Sequence, residues 1–223
     1  VLVPQWDFLD FIATHALRLP HFALRMGSQA VGLVEQDGRV VGLEVQEGAT
    51  RHALPAALVV AADGRHSAVR PAAGLAIQDL GAPIDVLWFR LSRQAGRDPD
   101  TTGGILRPGA MLVTLNRNTY WQCAYVIPKG SLQAVRQDGI EAFRRKVAAL
   151  ADFLADSVHE LASWDDIQLL SVQTSMLPRW WREGLLCIGD AAHAMSPVGG
   201  VGINLGIQDA VGAANRHAPP PRP

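Results

Sequence analysis

Apolar residues recur every three or four positions in two segments of the chain, which is the spacing of a helix with one buried face. The first segment covers residues 6–17, and the second covers residues 138–154. In the second segment Asp138 is the predicted N-cap, and Glu141 follows it at the spacing of a capping box. A third helix is predicted from about residue 200 to about residue 215.

Elsewhere apolar and polar residues alternate, as in a strand with one buried face. Residues 22–48 indicate two such strands, and the pair Asp37 and Gly38 between them is typical of a hairpin turn. The continuous apolar run at 57–64 favours a strand buried on both faces, as in a parallel sheet. Further strands are predicted within 83–129, at 167–176 and at 184–190.

The order of these elements predicts the fold class. Strands and helices alternate at both ends of the chain, with a block of strands between them. We therefore expect an α/β (α+β) fold, with a parallel sheet and helices plus an antiparallel, β-rich layer. The aromatic residues Trp88, Phe89, Trp121 and Tyr125 lie in the β-rich block. They suit either the core of the sheet or the wall of an apolar substrate pocket.

Composition excludes several classes of protein. The 223 residues are 48% hydrophobic, enough for a core, and the net charge of −1 offers no basic surface for nucleic acid or anionic lipid. The longest apolar runs fall well short of the roughly 20 residues that span a membrane. With no signal-peptide pattern and no CxxC pair, we expect a cytoplasmic protein in which Cys123 and Cys187 are free, buried thiols.

The histidines form no HxxxH or HExxH pattern, so no metal site is expected. A G-x-S-x-G sequence is also missing, which argues against a hydrolase triad.

The segment "CIGDAAHAMSPVGGVGINLGIQDA" (187–210) is the strongest candidate for chemistry. It places Gly-Asp after an apolar strand, then a proline, then four glycines within eight residues. A strand end followed by a helix start forms a ligand site at the carboxyl edge of a sheet, where free N–H groups favour anionic groups. Asp190 can accept hydrogen bonds from ligand hydroxyls, and Asn204 lies in the first helical turn. The alternative is a glycine-rich turn with a structural role only.

This segment resembles the second flavin motif of the FAD-dependent monooxygenases of the para-hydroxybenzoate hydroxylase type. The stretch "LVVAADGRHSAVR" (58–70) is similar to the other signature of that family. The resemblance implies that residues 1–80 and 177–215 belong to an FAD-binding domain and that 81–176 form a β-rich substrate domain. A proline-rich tail occupies 216–223.

The resemblance also implies which residues bind the ribityl, pyrophosphate and adenine parts of FAD. These residues are Gln5, Val31, Asp63, Arg70, Gly189 and Asp190. Asp190 matches the aspartate that hydrogen-bonds the ribityl chain, and Gln5 matches a residue that reaches the ribityl or pyrophosphate. Asp63 and Arg70 match the motif that serves both the FAD pyrophosphate and NAD(P)H. Val31 lies on a strand that the family places near the adenine.

A second set of residues is implied at the isoalloxazine ring of FAD. Pro197 and Gly199 match the loop beside the ring. Gly202, Ile203 and Asn204 match the helix start whose N–H groups face the pyrimidine edge. A helix N-terminus there would stabilise the negative charge of reduced flavin, and glycines would let the ring lie against the backbone.

The implied reaction is monooxygenation, with NAD(P)H reducing FAD and a flavin C4a-hydroperoxide hydroxylating an aromatic or similar small molecule. The cofactor carries this chemistry, so no catalytic side chain is required. The chain has no G-x-G-x-x-G sequence, which the family carries in its first βαβ unit, so we expect a piece of a longer protein. The alternatives are an FAD oxidoreductase of the same fold without oxygen insertion, or a non-catalytic fragment. The substrate, the choice of NADH or NADPH and the oligomeric state are left open.

Overall fold

The computed structural model describes residues 5–197, 200 and 202–217. Its α-helices are α1 (Gln5–Ala16), α2 (Val69–Ala72), α3 (Leu132–Gln137), α4 (Ile140–Leu150) and α5 (Gly202–His217). Its strands are β1 (Ser28–Gln36), β2 (Arg39–Glu47), β3 (Thr50–Pro55), β4 (Val59–Ala61), β5 (Gln78–Asp79), β6 (Ile84–Ser92), β7 (Gly103–Arg107), β8 (Ala110–Asn116), β9 (Tyr120–Pro128), β10 (Gln168–Leu170), β11 (Ser175–Met176), β12 (Trp181–Arg182), β13 (Leu185–Cys187) and β14 (His193–Ala194). Helices and sheets are thus mixed, and the expected α/β class is confirmed.

The chain folds as two compact units, and the first contains residues up to Ala76 together with Arg179–Ala191. In this unit β1, β2 and β3 form an antiparallel sheet. The predicted hairpin is confirmed, because Asp37 and Gly38 join β1 to β2 with φ values of 51° and 78°. A second sheet has the order β12-β13-β4, and β13 runs parallel to β4.

The second unit contains Ile77–Pro178 and the residues from Ala192 onward. Its main sheet is antiparallel with the order β10-β6-β9-β8-β7, which confirms the predicted block of strands. The core lies where this sheet packs against α4. Phe143 of α4 is buried and meets Phe89 and Tyr125 edge to face, at centroid distances of 5.6 and 5.2 Å. A smaller sheet of this unit has the order β14-β11-β5.

The prediction of one capped helix over residues 138–154 is wrong. Gly139, with a φ of 85°, is the N-cap of α4, and no side chain caps that helix. Asp138 instead ends α3 and accepts a hydrogen bond from Nζ of Lys146 at 2.7 Å. After Leu150 the backbone becomes extended at Ala151, and a 3-10 turn follows. The left-handed glycine therefore breaks the helical pattern and removes the aspartate from the capping position.

Two strand predictions also need correction. The segment 167–176 is not one strand, because β10 joins the five-stranded sheet and β11 pairs with β14 and β5. Strand β4 was expected to be buried on both faces, but only Val59 and Ala61 are buried, whereas Val60 is 46% exposed. Among the described residues, β4 is therefore covered on one face.

Both cysteines are free and buried, as expected. Burial raises the pKa of Cys123 to about 12, so its thiol stays protonated at neutral pH. Burial, followed by the negative charge of Asp63, also raises the pKa of Cys187, while Arg70 opposes the shift. Neither thiol is therefore a nucleophile in this environment.

Candidate functional site

The two sequence motifs meet at one edge of the parallel strand pair in the first unit. Val59, Val60 and Ala61 pair in register with Leu185, Leu186 and Cys187. The N–H of Ile188 donates to the carbonyl of Ala61 at 2.9 Å and extends the pairing past β13. Since the strands are parallel, the loops that follow them leave from the same edge. The carboxyl edge of a parallel sheet is where open α/β folds bind ligands.

Asp63 organises the loop that follows β4. Its Oδ2 accepts hydrogen bonds from the N–H groups of Ala68 at 2.8 Å and Val69 at 3.1 Å. A carboxylate at the first turn of a helix satisfies N–H groups that have no partner within the helix. Asp63 therefore holds the start of α2 against the end of β4.

Arg70 joins the loop after β4 to the loop after β13. Its Nη1 donates to the carbonyl of Ala191 at 3.1 Å, and its Nη2 donates to the carbonyl of Arg65 at 3.1 Å. Its own N–H donates to Oγ of Ser67 at 2.9 Å. The guanidinium thus fixes two backbone segments, one of them directly after Asp190.

Asp190 lies at this edge with a side chain that is 41% exposed. It belongs to the 3-10 turn Gly189–Ala191 that follows β13. Nη2 of Arg65 lies 3.9 Å from its Oδ2, and the Arg65 side chain is 37% exposed. The edge thus presents a carboxylate, which accepts hydrogen bonds from hydroxyls, beside a guanidinium, which suits anionic oxygens.

Arg65 was missed from the sequence. The available signal was a basic residue directly after the Asp-Gly pair that follows a predicted strand. Such a residue lies at the same carboxyl edge of the sheet as Asp190 of the second motif if the two strands are parallel neighbours. Charge at a strand end is common, however, and only the parallel pairing of β4 and β13 makes the two residues neighbours.

Two other predicted residues of the first unit lie apart from these hydrogen bonds. Gln5 is the exposed first residue of α1, a helix that buries none of its residues. Val31 is half-buried in β1, where the register with β2 shifts between Ala30 and Gly32.

In the second unit, the residues predicted to contact the isoalloxazine ring lie in the first turn of α5 and in the segment before it. Gly202 is the first residue of this helix, Ile203 and Asn204 are exposed, and Pro197 is half-buried. Gly199 lies outside the described residues. A Cβ on Gly202 would lie 3.8 Å from Cγ of Met195, an ordinary contact. Packing among the described residues therefore does not require glycine at this position.

The middle of α5 is tied to the preceding strand by a partly buried polar contact. Nε2 of His193, in β14, lies 2.7 Å from Oδ2 of Asp209 in α5, and both side chains are 17% exposed. The contact fixes α5 relative to the chain that leads into it.

A cleft of about 400 Å³ opens in the five-stranded sheet of the second unit. It is lined by Trp88, Phe89, Arg90, Gln122, Glu160, Asp166 and Gln168. Phe89, Trp121 and Tyr125, which had two predicted roles, belong to the core, and Phe89 also lines the cleft. Trp88, the fourth of these aromatic residues, is half-buried, lines the cleft and packs against a smaller core cluster. The cofactor residues predicted from the sequence do not line it.

The described part of the chain contains no cluster of three or more His, Cys, Asp and Glu residues that could hold a metal ion. Of the helices described, none is both long and apolar enough to cross a membrane.

Comparison with known proteins places this geometry among flavin enzymes. A family model described as "FAD binding domain" matches residues 1–218. The chain is 36% identical to the 6-methylpretetramide 4-monooxygenase of Streptomyces rimosus, over 95% of this chain and 50% of that protein. It is 30% identical to the 3-(3-hydroxy-phenyl)propionate/3-hydroxycinnamic acid hydroxylase 2 of Burkholderia vietnamiensis, over 91% of this chain and 37% of that protein.

The fold has solved counterparts. The anhydrotetracycline hydroxylase OxyS of Streptomyces rimosus superposes with a TM-score of 0.69 at 22% identity, over 99% of this chain and 44% of that chain. The chain therefore spans half the length, or less, of the relatives described here.

Proposed function

The chain belongs to the FAD binding domain family, and on that premise we propose that it forms part of a longer flavin-dependent monooxygenase. The proposed enzyme uses FAD and NAD(P)H to hydroxylate an aromatic or similar small molecule with O₂. The observation that carries the proposal is the meeting of Asp190 and the 63–70 loop at the carboxyl edge of β4 and β13. The names of the two relatives, a monooxygenase and a hydroxylase, support the reaction class.

The residues at this edge fit FAD by their chemistry. A half-exposed carboxylate suits the ribityl hydroxyls, and a neighbouring guanidinium suits phosphate. The side chains of Asp63 and Arg70 form hydrogen bonds with the backbone, and we propose that they shape the loops that the cofactor contacts. Bound FAD would supply the redox and oxygen chemistry, while the protein binds and orients it and excludes water.

For the remaining predicted residues we propose the FAD contacts that the resemblance implies. Gln5 and Val31 are proposed to contact the ribityl or pyrophosphate and the adenine, respectively. Pro197 and the first turn of α5 are proposed to face the isoalloxazine ring, where N–H groups at a helix start stabilise negative charge. The described residues would meet a Cβ at Gly202 only in ordinary contact, which supports this proposal, because close approach of a ligand is then a reason for glycine.

We also propose that residues 81–176 form the substrate domain and that the cleft beside Trp88 contributes to substrate binding. Its volume of about 400 Å³ lies in the range of small-molecule sites. A cytoplasmic location is proposed from the two free, buried thiols. Product analysis of the full-length enzyme with ¹⁸O₂ tests the reaction class, since an FAD oxidoreductase without oxygen insertion would leave the label out of the product.

Replacing Asp190 with alanine should weaken FAD binding to the full-length apoprotein by about 10- to 100-fold, because a hydrogen bond to a charged group contributes about 1.5–3 kcal/mol. Fluorescence titration of FAD measures the change. Glu44→Ala is the control, since Glu44 is a half-exposed acid paired with Arg51 at 2.9 Å in another sheet of the same unit. Equal FAD affinity in the Asp190 variant and the wild type would contradict the proposed role.

Replacing Gly202 with valine should lower flavin occupancy by about tenfold and make the retained flavin harder to reduce, because overpacking at a contact costs about 1–3 kcal/mol. Gly202→Ala should do the same more weakly. Gly212→Ala in the same helix is the control, because a Cβ there meets no atom of the described residues within 4 Å. Circular dichroism and redox titration on one sample separate misfolding from a changed flavin environment. A folded valine variant with full occupancy and an unaltered midpoint potential would show that Gly202 does not face the ring.

A further inference from the structure

Arg65 is held at the edge of the sheet by its backbone. It follows Gly64, whose φ of 82° turns the chain at the end of β4, and its carbonyl accepts a hydrogen bond from Nη2 of Arg70 at 3.1 Å. The Arg65 side chain is accessible to a ligand, since 37% of its surface is exposed. The loop thus positions a cation beside Asp190 without using its guanidinium to build the loop.

The two arginines of this loop differ in what their guanidinium groups bind. That of Arg70 donates to the carbonyls of Ala191 and Arg65. The guanidinium of Arg65 forms an ion pair with Asp190, with 3.9 Å between Nη2 and Oδ2. This distance exceeds that of a charge-assisted hydrogen bond, about 2.7–2.9 Å. Exposed pairs of this kind contribute about 0–1 kcal/mol, so a ligand can replace the contact at little cost.

We propose that Arg65 binds the pyrophosphate of FAD, an inference that rests on the proposed binding of FAD at Asp190. In FAD the ribityl chain is joined directly to the pyrophosphate, so a hydroxyl and an anionic oxygen lie a few bonds apart. Asp190 accepts a hydrogen bond from the ribityl hydroxyl, and the planar guanidinium of Arg65 donates hydrogen bonds to the phosphate oxygens. Each member of the loose ion pair thereby exchanges its partner for a complementary group of one ligand.

A comparison of FAD with riboflavin tests this assignment, because riboflavin has the ribityl chain but no phosphate. In the full-length apoprotein, Arg65→Ala should weaken FAD binding by about tenfold and change riboflavin binding by less than about twofold. Arg65→Lys should restore part of the FAD affinity. Arg51→Ala is the matched control, because Arg51 is 55% exposed and pairs with Glu44 away from this edge. Circular dichroism confirms that each variant is folded.

Each other outcome overturns the assignment. Unchanged FAD affinity in a folded Arg65→Ala variant removes Arg65 from the site. Equal losses for FAD and riboflavin would mean that Arg65 acts through Asp190. A loss of affinity for NAD(P)H alone in the Arg65→Ala variant would assign Arg65 to the binding of the nicotinamide cofactor. Failure of the proposed function looks different, because the wild-type protein would then bind neither flavin and Asp190→Ala would change nothing.

Discussion

Replacing Gly184 with alanine is expected to unfold the first unit, at a cost on the order of 3–5 kcal/mol. Gly184 lies between β12 and β13 with a φ of 77°, a conformation that disfavours a Cβ. A Cβ there would lie 1.9 Å from the carbonyl oxygen of Val40 and 2.9 Å from its carbonyl carbon. Both atoms are backbone, so no side-chain rotation relieves the clash.

The contact that this clash would break joins three strands. The N–H of Val40, in β2, donates to the carbonyl of Glu183 at 2.9 Å, and the N–H of Val59, in β4, donates to the carbonyl of Gly184 at 2.9 Å. Val40 is fully buried. Moving the backbone by the distance needed would therefore separate β4 and β13 from β2 and disorder the edge that carries Asp190.

Gly38→Ala measures the cost of backbone strain alone, so the difference between the two variants gives the steric part of the effect. Gly38 has nearly the same φ, 78°, but in the part of the chain that the structure describes no atom lies within 4 Å of a Cβ there. Only backbone strain remains at that turn, which costs about 1–2 kcal/mol. Urea unfolding followed by circular dichroism compares the two variants. If they lose the same stability, the approach of Gly184 to Val40 is not what demands glycine.

Local chemistry explains which features the sequence could predict. The Asp37–Gly38 hairpin follows from turn residues that need no distant partner. The flavin motifs are also contiguous in the chain, so their residues could be named before the fold was known. The incorrect prediction of Asp138 as an N-cap arose because two neighbouring residues compete for its role. Gly139 occupies the N-cap position of α4, and Lys146 donates a hydrogen bond to the Asp138 carboxylate.

Contacts between distant segments explain what the sequence could not show. Gly184 reads as an ordinary turn glycine until Val40 is placed against it. Arg65 becomes a candidate only when β4 and β13 pair in parallel and bring it within 3.9 Å of Asp190. Each case depends on strand pairing across more than half of the chain, which periodicity and turn residues do not encode.

Replacing Asp85 with alanine is expected to destabilise the second unit by about 3–5 kcal/mol, because two backbone N–H groups lose their acceptor, at about 1–3 kcal/mol each, and Lys129 loses its partner. The Asp85 side chain is 4% exposed. Its Oδ1 accepts from Nζ of Lys129 at 2.8 Å and from the N–H of Val172 at 3.0 Å, and its Oδ2 accepts from the N–H of Gly130 at 2.9 Å. The carboxylate thus ties the start of β6 to the turn after β9 and to the segment after β10.

The same contacts set how this stability depends on pH. Burial by itself raises the pKa of Asp85, but the N–H groups of Gly130 and Val172 together with Lys129 outweigh it and hold the pKa below its usual 3.8. A carboxyl group with a lowered pKa in the folded state stabilises the fold above its unfolded pKa. The contribution is therefore complete above about pH 4 and is lost as the pH falls through the lower, folded value.

Asp85→Asn separates charge from shape, because the amide keeps the size of the side chain and replaces one acceptor with a donor. The stability difference between wild type and this variant should be constant between about pH 6 and 8 and should shrink below about pH 4, where the wild-type carboxylate takes up its proton. Asp138→Ala is the control, because its pair with Lys146 is about half exposed and should contribute no more than about 1 kcal/mol. Urea unfolding at each pH measures the differences. A difference between wild type and Asp85→Asn that persists unchanged into acid would mean that packing, and not the ionised carboxylate, joins these three segments.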